Sequence, residues 1–118
     1  LFGGKNMSKN NALESEQLTD PMYYILLSLL EERHGYAIMK FIEELTNGEV
    51  SMGPGTLYTL LKKLSKADWI TLTSLDSDRT KVYQISEEGR NVLIREFKRR
   101  KHMVEEGARV LREAGYEE

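Results

Sequence analysis

The sequence predicts a mainly helical domain with one small β-hairpin, extended by a long C-terminal helix. Three observations predict it. Leu57, Leu60, Leu61 and Leu64 recur at helical spacing behind Pro54. The period then changes, because Trp69–Leu75 and Thr80–Ile85 are rich in β-branched and aromatic residues around the polar turn Asp76-Ser77-Asp78-Arg79. Finally, Ser86 opens a helical pattern that runs from Glu87 to about Ala114.

Taken in order, residues 1–19 are expected to hold an added leader, Leu1–Asn6, before a natural start at Met7, and then a flexible polar arm. The first helix is expected to start at Asp20-Pro21, with the acid as N-cap and proline at the first helical position. Met22, Ile25, Leu26, Leu29 and Leu30 form its buried stripe, widened by Tyr23 and Tyr24. So much apolar girth suggests contacts on two sides, unless the tyrosines sit half-exposed. The segment Glu31–Gly35 turns the chain, with His34 as a turn or capping residue. The second helix runs from about Tyr36 to Leu45, with Ile38, Phe41, Ile42 and Leu45 inward, and ends at Thr46-Asn47-Gly48 with Gly48 left-handed.

The third helix starts at Pro54, whose missing N–H costs nothing in a first turn. Its leucines hold one face down. The other face shows Tyr58, Thr59, Lys62, Lys63 and Lys66, with no acid among them. A DNA major groove accepts such a helix, since bases offer donors and acceptors and the flanking phosphates attract lysines. An ordinary amphipathic helix with a solvated lysine face fits the same residues. The order helix, helix, helix, hairpin favours a winged helix-turn-helix over residues 20–86. In that arrangement the hairpin is the wing and carries Arg79 and Lys81 near its tip.

The last helix starts at a serine cap followed by Glu87 and Glu88, acids that suit the helix dipole. Gly89 is unfavourable in a helix and is expected where another backbone comes close. Leu93, Phe97, Val104, Ala108 and Leu111 form a seam along about 40 Å of helix. A small winged domain cannot cover that length, so residues 87–118 are expected to dimerise through a two-fold axis. Met22 and Ile25 of the first helix are expected to join this interface. There, with Phe97 and Val104, they would line an apolar pocket for a small-molecule effector, or pack as plain interface. Arg95, Lys98, Arg99, Arg100 and Lys101 are read as a solvated face, or else as a patch that steers DNA.

The totals narrow the function classes. The chain has 118 residues, no cysteine, two histidines and a formal net charge of −2. Neither a metal site nor a cofactor is expected, because His34 and His102 lack further ligands at zinc spacing. No nucleophile with a base at workable spacing and no phosphate-binding loop point to an enzyme. No apolar run approaches a membrane span and no signal pattern is present, so a cytoplasmic protein is expected. The charge is uneven. Residues 13–50 hold many acids against Arg33 and Lys40, whereas residues 51–83 collect Lys62, Lys63, Lys66, Arg79 and Lys81. The net negative charge keeps a second class open, a winged-helix module that binds protein and not DNA.

Short motifs now add up to a resemblance. Ile25–Leu30, His34-Gly35-Tyr36-Ala37-Ile38, Pro54-Gly55-Thr56-Leu57-Tyr58, Leu61 with Leu64, Val82–Ser86 and Glu87-Glu88-Gly89-Arg90 occur in this order. Together they make the chain, over about residues 20–114, similar to PadR-type transcriptional regulators of the short-tailed kind. The resemblance implies a homodimeric repressor on a palindromic operator in double-stranded DNA. It implies that Thr56, Tyr58 and Thr59 face the major groove, that Lys62, Lys63 and Lys66 meet phosphates, and that Arg79 and Lys81 serve the wing. Three departures stand out. Gly53 replaces the serine frequent before Pro-Gly, so a side-chain cap is lost. Val82-Tyr83 stands where two tyrosines are common. Some short members stack flat aromatic compounds on a tryptophan of the last helix, and here Phe97 is that helix's only large aromatic before Tyr116.

Overall fold

The computed structural model describes residues 18–75 and 81–116 of the chain. The elements run α1 (Asp20–Ser28), β1 (Arg33–His34), α2 (Gly35–Leu45), α3 (Pro54–Lys66), β2 (Ile70–Leu75), β3 (Lys81–Ile85) and α4 (Glu87–Glu113). This is a winged helix-turn-helix with a long C-terminal helix. No helix among the described residues is long and apolar enough to cross a membrane.

The start of α1 differs from the sequence expectation. Thr19, not Asp20, is the N-cap, and its side chain accepts a bond from the Met22 amide at 3.4 Å. Both residue types can cap, and Asp20 here falls inside the helix as a first-turn acid. Leu18, assigned to the arm, is buried in the core. The helix closes at Ser28, so Leu30 falls beyond the stripe and is exposed. Arg33 ties this end down. Its Nη1 donates to the Ser28 carbonyl at 2.6 Å, and its guanidinium lies 4.3 Å from the Phe41 ring centre.

The turn before α2 holds a strand that periodicity could not show. Arg33 pairs with Tyr83 and His34 with Val82, so the expected hairpin is an antiparallel three-stranded sheet of order β1-β3-β2. His34 is also the N-cap of α2, without a side-chain bond to it. Ile38 and Ile42 are buried, while Leu45 at the helix end is exposed. Thr46 then locks the turn: its Oγ1 donates to the Ile42 carbonyl at 2.9 Å and accepts from the Val50 amide at 3.0 Å. Asn47 and Gly48 both take the left-handed conformation, at φ 53° and 81°.

In the wing, the register shifts between Leu72 and Ser74. Up to that point the pairing is regular, with Ile70 opposite Ile85 and Leu72 opposite Tyr83; Ile70 is buried, while Leu72, further out on the wing, is half exposed. The core gathers the buried residues of α1, α2 and α3 with Trp69, Ile70, Tyr83, Ile85 and Leu93.

The join from wing to α4 is built from a few bonds. Ser86 accepts from the Gly89 amide at 2.9 Å and donates to the Asp68 carbonyl at 2.7 Å. A β-carbon on Gly89 would overlap the Trp69 carbonyl and come within 2.9 Å of Ile85 Cγ1, which is why this turn of helix needs glycine. Ser86→Ala removes both hydroxyl bonds and is expected to cost about 1–2 kcal/mol. A lower urea midpoint at unchanged slope would show it, and an unmoved midpoint would deny the cap any part in stability.

Glu96 is buried within the stretch read as a solvated basic face. It takes Arg99 Nη2 at 2.6 Å and Arg100 Nε at 2.7 Å on one carboxylate oxygen, and Arg99 Nε at 3.1 Å on the other. Burial pushes its pKa up, but the hydrogen bonds and charges of Arg99 and Arg100 outweigh that and hold it below the usual carboxylate range. The ionised network therefore stabilises the fold fully above the ordinary glutamate pKa. That contribution is lost as pH falls through the lowered folded value. The melting-temperature gap between the natural chain and Glu96→Gln is expected to shrink between neutral pH and about pH 3. A gap that stayed constant would contradict the assignment.

Candidate nucleic-acid interface

α3 is set as a half-buried cylinder. Leu57, Leu61 and Leu64 have 0–1% of their surface exposed and fix its inner face. Thr56, Tyr58, Thr59, Lys62, Lys63 and Lys66 are all exposed, and no acid interrupts them. Lys63 and Lys66 also sit in the last turn, where cations suit the helix dipole. Gly53 caps the helix without a side-chain bond, leaving its first amides free of a protein acceptor of that kind.

Tyr58 has a second role that the sequence did not reveal. A β-carbon on Gly35 would overlap the Tyr58 hydroxyl, so the ring leans over the first turn of α2. About half of its surface remains exposed. Tyr83 of β3 lies near as well. Burial raises its pKa above the ordinary phenol value, and the neighbouring Tyr58 raises it further. Tyr58 thus packs α3 against the first turn of α2. Tyr36, next to Gly35, is largely exposed.

Lys81 is exposed on β3, paired with Leu75. Arg79, expected at the wing tip, lies outside the described residues.

The residues expected at the dimer interface divide into two groups. Met22, Ile25 and Leu93 belong to the chain's own core, with at most 4% of their surface exposed. They offer a partner almost nothing, which corrects the sequence reading: apolar spacing marks a buried face but not which element covers it. Phe97, Val104 and Leu111 are exposed and Ala108 is half-buried, all on one side of α4; Ile94, Met103 and Val110 are exposed as well. The expected pocket does not form within one chain, because Met22 and Ile25 face inward while Phe97 and Val104 face out.

The family model described as the transcriptional regulator PadR-like family matches residues 25–95, from within α1 to the third turn of α4. RosR of H. salinarum is 27% identical, with a TM-score of 0.59 over 82% of this chain and 99% of that one. A PadR family transcriptional regulator from Eggerthella lenta is 26% identical, with a TM-score of 0.61 over 77% of this chain and 80% of that one. A PadR-like transcription factor from Bacteroides fragilis, 21% identical with a TM-score of 0.62 over 86% of this chain and 92% of that one, shares the fold. No match is found among curated proteins.

Proposed function

Because the chain belongs to the PadR-like family of transcriptional regulators, we propose that it binds double-stranded DNA as a homodimer and represses transcription from a palindromic operator. The observation that carries this reading is the outer face of α3, six exposed hydroxyl or ammonium side chains with no acid between them. Thr56 and Thr59 reach base edges, with Tyr58 braced behind them against α2. Lys62, Lys63 and Lys66 meet the phosphates on either side of the groove. Lys81, with Arg79 beyond it, sets the wing on the backbone.

The dimer follows from α4. It exposes Phe97, Val104 and Leu111 to water, and a helix gains most of its stability from packing such an apolar face. Pairing with the same helix of a second copy buries Phe97, Val104, Ala108 and Leu111 and presents two α3 helices to successive turns of the major groove.

Fluorescence anisotropy tests the reading. The probes are the DNA upstream of the chain's own coding sequence and a scrambled copy, compared at one fixed salt concentration. Binding the native fragment about 10³-fold tighter is the expected result. Equal weak binding would reduce α3 to a generic basic surface. No binding to either would favour a module that docks on protein.

A further inference from the structure

Arg100 makes more directed contacts than a solvated cation needs. Its Nε donates to Glu96 at 2.7 Å, its Nη1 to Asp20 at 2.9 Å and its Nη2 to the Leu18 carbonyl at 2.9 Å. The face of the guanidinium lies 4.4 Å from the centre of the Tyr23 ring. Each edge of the planar group is thus taken by a different partner, one on α4 and two at the start of α1. Glu96, with 6% of its side chain exposed, holds the fork from behind. From Lys101 to Tyr116 the residues are exposed apart from Gly107 and Ala108. Arg100 therefore stands where α4 leaves the domain.

Stability alone is a weak reason for this arrangement. Asp20 is 75% exposed, and an ion pair so open to water contributes little. Direction is a stronger reason, since a guanidinium bonded on three edges tolerates one geometry only. We propose that Arg100, oriented by Glu96, is the positioning residue that sets the angle at which α4 leaves the winged domain, and so the half-site spacing the dimer accepts. The spacing half of this inference rests on the DNA-binding dimer proposed above.

The lever arm gives the size of the effect. α4 is held at Gly89, against the Trp69 carbonyl, and again at Arg100, roughly 16 Å further along the helix. Its last turn lies about 36 Å from Gly89. A slip of about 2 Å at Arg100 therefore moves the far end by roughly 4 Å. That exceeds the rise of one base pair, about 3.4 Å.

Two measurements test the proposal on the full chain. The protein has no cysteine, so Glu43→Cys with Arg109→Cys takes spin labels at two exposed positions, one on the domain and one on α4. Labelled chains are diluted into unlabelled protein so that distances within one chain are read. The otherwise natural chain should give one narrow distance. Arg100→Met, which keeps the stem over Tyr23, should broaden the distribution by roughly 4 Å. Arg100→Lys should not restore it, because an ammonium cannot reproduce the fork. Glu96→Gln keeps the shape of Glu96, should broaden the distribution in the same direction, and decides the matter if Arg100→Met does not fold.

In parallel, selection from random DNA should give one half-site spacing for the natural chain. Arg100→Met should accept spacings one or two base pairs away while keeping the half-site sequence. Equal widths and an unchanged single spacing would overturn the proposal. A natural chain that selects no paired half-sites would overturn the DNA reading and the spacing with it, while the label distances would still decide the angle.

Discussion

Exchanging Lys62, Lys63 and Lys66 together for alanine is expected to lower DNA affinity by a thousandfold or more while leaving the fold intact. All three side chains are exposed, and none takes part in the buried network around Glu96 or in the core. If each meets one phosphate, a dimer loses six contacts, and the slope of log affinity against log salt falls by about five. Native and scrambled DNA should weaken together, because phosphates carry no sequence information. The single change Lys62→Ala should flatten the slope by roughly one per half-site. An unchanged slope in the triple variant, at an unchanged melting temperature, would move the phosphate contacts away from α3.

Phe97→Asp combined with Val104→Asp is expected to leave a folded monomer. Both side chains point out of the domain, at 51% and 70% exposure, so the core should survive the change. In the dimer each buried side chain of this size contributes about 1.5–3 kcal/mol. Four such losses, with four carboxylates forced into an apolar seam, exceed what keeps a small dimer together at micromolar concentration. Sedimentation equilibrium should give the mass of one chain. DNA affinity should fall as well, since two linked half-sites bind with an advantage that separate heads lose. A variant that still sediments as two chains would place the interface elsewhere than on this face of α4.

Much of the fold was legible in the sequence, for identifiable reasons. Pro54 and the leucines of α3 state both the start of that helix and its buried side. Ser86 and the acids behind it mark the start of α4, and Gly89 signals a close approach that the Trp69 carbonyl supplies. Features that depend on distant partners were not legible. β1 has two residues, too few for any alternation, and exists because β3 pairs with it. Leu72 shares a sheet face with the buried Ile70 yet is half exposed, because the wing runs out past the core. Asp20 is on paper the better cap of the two, yet Thr19 holds the extended cap conformation and takes the bond.

The candidate site divides in the same way. The outer face of α3 follows from helical spacing alone. The lean of Tyr58 over Gly35 needed three dimensions, since the two residues come from different helices. Met22, Ile25 and Leu93 carry the right chemistry for an interface, but spacing cannot tell a core from a partner. Glu96 is a lone acid ahead of a run of basic residues. Nothing local distinguishes it from a surface residue until Arg99 and Arg100 close on it and Arg100 reaches across to Asp20 and Leu18.

Whether α3 is the surface the DNA meets is tested most directly by nuclear magnetic resonance. The labelled protein would be titrated with the fragment that anisotropy selects, and backbone amide shifts followed residue by residue. The expected result is a set of large shifts concentrated on residues 54–66, with a second group around Lys81. Shifts confined to the acidic surface of α2 or to the second half of α4, with α3 unmoved, would contradict it.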